Sequence, residues 1–364
     1  MSINLSRSPF IIEIAETGQT STRIELYLWN TGSQPVSPQY TLSKKIPASN
    51  NISTFYNISP YVKEYYNFTT WQNLYNTYDA AISTDYVVQY AVKRFKTIGG
   101  SETPLLPNLT GEFMDGYGDY MQGLNPVGNT TVGLNEGTYL YNYDSDLPTD
   151  QANAMAGSID VNFTDVFEFI RYTNIRTGVI TNIPFTTTGL KTFSRVHLTN
   201  IADGNKVELL RGASVKWTGT FKPQCEPKYQ PVQVDFINKY GSWSRIFFQK
   251  AKTRNINVKA DNYKLNPAAL PYTPSNQGQV KEFNKTGKES IKLNTGFVND
   301  GYAEYIQQLL LSEKVTLLDY ENNTLYTPVN VQTKSLKKQT GLNDGTMNYE
   351  LTFDFAYDLI NNVV

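Results

Sequence analysis

The chain has 364 residues, a formal net charge of −1, one cysteine and one histidine. That length suggests two or three domains with ample core. The balanced charge excludes a global basic field for nucleic acid and an acidic tail, and the lone Cys225 excludes an internal disulfide. Charged residues make up 18% and aromatic residues 13%, with 26 tyrosines. This favours a β, loop-rich, interface-forming protein over a helical or α/β enzyme, because a tyrosine ring gives contact area while its hydroxyl stays satisfied in water. The start, MSINLSRSPFIIEI, lacks a basic region leading into an apolar core and a small-residue cleavage site, so export by a signal peptide is not expected. No run approaches the roughly 20 apolar residues of a membrane helix, and the chain is expected to fold in a cytoplasm.

In chain order, residues 10–14 and 23–29 read as strands joined by a polar turn; Ile24, Leu26 and Leu28 alternate with Glu25, Tyr27 and Trp29. A short strand follows at 40–43. In NISPYVKEYYN, Pro60 suits the first turn of a short helix, with Ser59 as its cap. Residues 85–96, rich in β-branched and aromatic side chains, read as a strand. From Gly99 to Ala156 the pattern dissolves into Gly, Asn, Pro, Tyr and Asp, which predicts an excursion with a role of its own. Between 158 and 221 several short strands recur, near IDVNF, FEFIRYTN, GVITNIPF, SRVHLTN, KVELLRG and VKWTGTF. Their spacing suits a β-sandwich or a partly closed barrel. Val232, Val234 and Phe236 alternate into the turn Asn238-Lys239-Tyr240-Gly241, and residues 243–249 return as the partner strand. A loop is expected over 262–284.

The stretch from 289 to 359 is the most strongly patterned. Tyr302, Tyr305, Ile306, Leu309 and Leu310 form one helical stripe, with Asn299 or Asp300 placed to cap it. Val329, Val331 and Thr333 face one way in an alternating run. Tyr349, Leu351, Phe353 and Phe355 do the same against Glu350, Thr352 and Asp354. With Asp344-Gly345 as the turn, this predicts a long hairpin whose tip, 337–345, stands in solvent. The fold expected is mainly β: sandwich- or barrel-like modules with long hairpins, and one helix packed on the sheet of the C-terminal domain. The expected divisions are a β domain over 1–98, a Gly/Asn/Tyr-rich insert over 99–156, a central β domain over 157–225, and a β-rich domain over 226–364.

No constellation of catalytic chemistry stands out. His197 lies in a strand pattern without a partner nucleophile; Cys225 lies in a Pro-flanked linker without a nucleophile motif. One Cys and one His cannot supply a zinc site. Asp115 with Asp119, and Asp144 with Asp146, are acidic loops that miss the EF-hand spacing. Glu112 with Asp115 or Asp119 is the one place where a glycosidase pair is conceivable. Gly116, Gly118 and Gly123 lack the spacing of a nucleotide loop. Lys239, Arg245, Lys250, Lys252 and Arg254, interleaved with Tyr240, Trp243, Phe247 and Phe248, could form a nucleic-acid stacking face. Strand alternation instead turns such rings to a core and the charges to water or to a neighbouring subunit. Lys334, Lys337 and Lys338 read as solubilising or pairing charges. No catalytic residue, cofactor or metal site is expected, and contact with nucleic acid is not expected.

The blocks KPQCEPKYQPVQVDFINKYGSWSRIFF, KESIKLNTGFVNDGYAEYIQQLLLSEKVTLL, TPVNVQTKSLKKQT and NYELTFDFAYDLINN resemble virion structural proteins of tailed bacteriophages, of tail or baseplate type. So do SPFIIEI, IELYLWN, YTLSKKI and NISPYVKEY near the start. Together these cover a little over half the chain; 99–225 carries no resemblance. The resemblance implies a non-enzymatic subunit of a symmetric ring, in contact with copies of itself and with other tail or neck proteins, assembled in a host cytoplasm. It leaves open a neck or portal-proximal ring protein, and a glycan- or host-surface-binding adhesin that uses aromatic loops over 99–143.

Overall fold

The computed structural model describes residues 3–46, 52–68, 80–81, 87–127, 133–142, 159–163, 169–184, 189–193, 202–224, 228–265, 278–299, 301–319, 326–337 and 346–360. In chain order its first elements are β1 (Ile3–Leu5), β2 (Ile11–Ala15), β3 (Ser21–Trp29), β4 (Tyr40–Lys45), β5 (Ser53–Asn57), α1 (Ser59–Lys63), β6 (Ala80–Ala81), β7 (Val87–Ile98), β8 (Ser101–Met114) and β9 (Gly137–Asn142). There follow β10 (Ile159–Phe163), β11 (Phe169–Asn174), β12 (Ile180–Pro184), β13 (Gly189–Phe193), β14 (Asn205–Arg211), β15 (Ser214–Gln224), β16 (Val232–Ile237) and β17 (Trp243–Phe248). The last are β18 (Thr253–Lys264), β19 (Val280–Asn299), α2 (Tyr302–Leu310), β20 (Val315–Asp319), β21 (Thr327–Val331) and β22 (Thr346–Asp358). The molecule is mainly β, with several sheets and one helix in the C-terminal region. Its contacts divide it into two compact units. The first is Met1–Cys225, Asp235–Ile246 and Leu311–Glu313; the second is Glu226–Val234, Phe247–Leu310 and Lys314–Val364.

In the first unit a five-stranded sheet has the order β1-β8-β7-β3-β4, and β2 and β5 form a two-stranded sheet. One core joins these two sheets through Ile12, Ile14, Ile24, Leu26, Leu28, Tyr56, Ile58, Val62, Val88 and Phe113. The alternation read in β3 is the reason: its even-numbered apolar residues face that core. Buried Thr22 keeps its hydroxyl satisfied there, 2.7 Å from Thr54 Oγ1 and 2.7 Å from Tyr56 Oη, as a buried polar group requires.

Two expectations for this region need correction. Ser59 does not cap α1. Ile58 takes that position, and the Ser59 hydroxyl donates to Ser8 O at 2.6 Å while accepting from Phe10 N–H at 2.9 Å, tying the helix to the N-terminal segment. Second, the pattern does not dissolve at Gly99, since β7 turns there into the fourteen-residue strand β8. β1 covers only Glu112–Met114 of β8, so 101–111 is an edge, exposed over most of its length. An edge strand tolerates Pro104 and Pro107 and shows no apolar alternation.

The remaining first-unit strands form a three-stranded sheet, β10-β13-β6, and a five-stranded sheet, β12-β11-β14-β15-β9. Ile170, Tyr172, Val207, Leu209, Trp217 and Phe221 are buried, and the Trp217 indole donates to Leu134 O at 3.0 Å. The strand expected around His197 lies outside the described residues.

The seven-stranded sheet has the order β17-β16-β20-β21-β22-β19-β18. The β16–β17 turn is the one expected: Asn238 N–H donates to Ser242 O at 2.9 Å, and Gly241 sits at φ 85°, a conformation that suits glycine. Every residue of both strands is buried, however, so the hairpin is covered on both faces rather than half exposed. In β22, Met347, Tyr349, Leu351, Phe353 and Phe355 are buried in alternation, and β21 pairs with it at Val329↔Phe355 and Val331↔Phe353. The hairpin tip falls largely outside the described residues. In α2, Tyr302, Tyr305, Ile306 and Leu309 are buried as the stripe predicts. The loop expected over 262–284 is replaced at both ends by strand. β18 and β19 pair from Thr253↔Lys292 out to Lys264↔Val280, with a register shift at Lys259/Asp261.

Candidate functional site

The acidic residues do not converge on a cleft. Glu112 lies within β8 opposite Ile3 and Gln89, and burial raises its pKa above the ordinary glutamate value. Asp115 is buried just past the end of that strand, where the Ser6 hydroxyl donates to it at 3.3 Å. Asp119 is exposed in a separate loop, where its backbone N–H donates to Gln122 Oε1 at 2.9 Å. Two carboxylates flanking a bond are therefore not assembled here.

Asp115 nonetheless lies within electrostatic reach of a charged cluster made by Arg7, Lys63 and Glu313. Arg7 donates to Leu311 O at 2.5 Å, pairs with Glu313 at 3.3 Å and lies 5.1 Å over the Tyr117 ring. Lys63 pairs with Glu313 at 3.3 Å. Desolvation pushes the Asp115 carboxyl up to about 6, against the pull of Arg7 and Lys63 and with the push of Glu313. The surroundings are cationic and peptidic rather than a cage of oxygens, and among the described residues no group of three His, Cys, Asp or Glu is placed to hold a metal ion. Asp144, Asp146, His197 and Cys225 lie outside the described residues.

The three glycines serve packing and turning. A Cβ on Gly116 would stand 2.4 Å from Lys239 O, and one on Gly118 would stand 2.4 Å from Pro126 Cβ. Gly123 has φ +70°.

The basic and aromatic stretch 239–254 is not a stacking face. Trp243 packs with Ile3, Val87, Met114 and Ile237, and Phe247 and Phe248 are buried. Arg245 is buried too, contrary to the reading of a solvated stripe. Its Nε and Nη2 donate to the two Asp235 oxygens at 2.8 and 3.0 Å. Lys252 and Arg254 both reach Asp319 at 2.7 Å, and Arg254 also reaches Glu289 at 2.9 Å. These cations are spent on internal carboxylates. The Asp235–Arg245 pair was legible in principle: both residues stand three positions out from the Asn238–Ser242 contact that closes the turn, so the register places them opposite one another.

Among the described residues, two outward-facing surfaces were hidden by the sequence pattern. One is the outer part of the β18–β19 ribbon, where nearly every residue is exposed and Tyr263 meets Phe283 edge-on at 5.4 Å. The other is the loop 117–127, whose Tyr120 and Met121 are 96% and 91% exposed. The aromatic platform considered for 99–143 is not built among the described residues. Phe113, Tyr139 and Tyr141 are buried, and Tyr139 stacks on Phe221 at 5.4 Å. No protein-family model, no curated protein and no solved structure matches the chain.

Proposed function

We propose that this chain is a non-enzymatic structural subunit of a tailed-bacteriophage tail or baseplate, built to join copies of itself and other tail or neck proteins in a symmetric ring. The observation that carries the reading is the β18–β19 ribbon. It continues past the last residues of β19 that pair with β22 at Lys288↔Asp358 and stands exposed on both faces. A monomer gains nothing from ordering two such strands, since backbone and side-chain entropy is lost without burial in return. A subunit gains an arm and a free strand edge for its neighbour.

Copies joined head to tail through unlike surfaces close into rings when the rotation allows. Sedimentation velocity and negative-stain imaging of the purified full chain are expected to show closed multimers with one copy number. A monomer at every concentration and ionic strength would sink the reading.

A further inference from the structure

Three edge strands among the described residues are blunted against a new neighbour. The outer edge of β8 carries Pro104 and Pro107, and β12, at the end of its sheet, carries Pro184; a proline has no N–H to offer another strand. β4, also terminal, is short and ends in Lys44 and Lys45. β18 differs. It ends the seven-stranded sheet without a proline, and every residue but Ala260 is exposed. A strand paired on one side only turns alternate backbone N–H and C=O groups outward. The ribbon's irregularity lies on the other strand. Its register passes from Lys259↔Thr286 to Asp261↔Phe283, so the extra residue belongs to β19, where Asn284 takes φ 48°. β18 itself carries no inserted residue to spoil a second ladder.

The charges select the partner. Arg254 is matched by Glu289 and Asp319, Lys285 by Glu282, Lys288 by Asp358 and Lys292 by Glu350. Lys259 and Asp261 are exposed and, among the described residues, in no ion pair; Asn284 Nδ2 donates to Asp261 Oδ2 at 3.4 Å. The two stand two positions apart on one face of β18. A lysine on an edge opposes any strand that offers it no acid, and the same strand run antiparallel offers one. Outward backbone groups alternate, so a two-fold axis between two antiparallel copies of β18 must pass through a residue. Centred on Lys259 or Asp261 it sets like charges face to face. Centred on Asn257, Val258 or Asn262 it gives Asp261 no lysine. Centred on Ala260 it sets Lys259 of each copy opposite Asp261 of the other. The small Ala260 side chains then meet at the axis, Tyr263 covers Asn257, and the Lys264 stem covers Ile256. On that last face Glu289, opposite Ile256, has a lysine brought towards it and no second acid.

We propose that β18 pairs antiparallel with β18 of a second copy, in the register centred on Ala260 and sealed by two reciprocal Lys259–Asp261 pairs. Asn255 to Leu265 of each copy then join one continuous sheet. This goes beyond the ring reading: a two-fold contact closes after two copies, so it couples subunits or whole rings in pairs and cannot by itself run around one.

The test uses the full chain and the exposed-site variants Lys259→Glu, Asp261→Lys and the double variant, each checked for an unchanged melting curve and followed by sedimentation velocity. Each single variant turns both attractive pairs repulsive and is expected to need about tenfold higher concentration to associate. The double variant restores both pairs and is expected to match the wild type. An equal mixture of the two single variants is expected to recover as well, as one-to-one pairs, because each supplies the charge that the other lost. If the single variants associate like the wild type, the pairing is wrong and the ring reading stands. If they weaken and neither the mixture nor the double variant recovers, the antiparallel register is overturned. If the wild type forms pairs and nothing larger, with this pattern of loss and recovery, the pairing holds and the ring reading falls. A wild type that never associates overturns both.

Discussion

Asp115 combines burial with a cost. Its pKa rises from 3.8 to about 6, because desolvation outweighs the cations Arg7 and Lys63. A carboxyl whose folded pKa lies above its unfolded one binds its proton more tightly when folded. The stability this gives is therefore full below about pH 4 and is lost as pH rises through about 6. Replacing Asp115 by Asn is expected to stabilise the protein above pH 6, on the order of 3 kcal/mol for a two-unit shift, and to change little below pH 4. Urea midpoints from pH 4 to pH 8 check it; a gain independent of pH would refute the assignment. Asp235–Arg245 is the opposite case, a buried pair with both charges met. Arg245→Met alone is expected to cost about 3–5 kcal/mol by stranding the carboxylate, and adding Asp235→Leu to recover most of that. Thermal melts of the single and double variants decide it.

Among the elements, those with one buried face were legible. β3, β22 and α2 carry their periodicity in plain view because each has a single core side. The misses share a different cause. β8 and the β18–β19 ribbon are exposed over long stretches, so no alternation marks them, while β16 and β17 are buried on both faces and alternation there carried no information about water. Sequence periodicity reports asymmetry between faces, and these strands have little. Ser59 misled for another reason: its hydroxyl bonds residues 49 and 51 positions away, which no local pattern encodes. Because the outer ribbon holds no buried apolar side chain among its described residues, joining Val258 to Gly287 through an Asn-Gly turn in place of 259–286 is expected to leave folding stability within about 1 kcal/mol, as substitutions away from the core do. Self-association should weaken in the same protein. A collapse of the melting curve would show that the ribbon is part of the core after all.

At the scale of the molecule, the first unit is completed from the later chain. Ile237 and Trp243 share a cluster with Ile3, Val87 and Met114, and Glu313 meets Arg7 and Lys63. A polypeptide ending at Cys225 would lack all three. Residues 1–225 expressed alone are expected to melt well below the full chain and to expose Ile3, Val87 and Met114, raising dye binding and proteolysis. Equal stability of the two would mean that the segments Asp235–Ile246 and Leu311–Glu313 contribute nothing. The candidate site was less legible than the fold. The Asp235–Arg245 pair follows from a turn already visible in sequence, but the Asp115 cluster gathers residues from positions 6 to 313.

That borrowed hairpin also sets a timetable. A ribosome adds about 5–20 residues per second, so roughly ninety further residues, on the order of 5–20 s of synthesis, must follow Cys225 before Glu313 exists. The seat for Trp243 stays open only for about the first 1–4 s of that interval, but the place of Glu313 beside Arg7 and Lys63 stays open for all of it, a window in which a chaperone or a second nascent chain on the same message can occupy it.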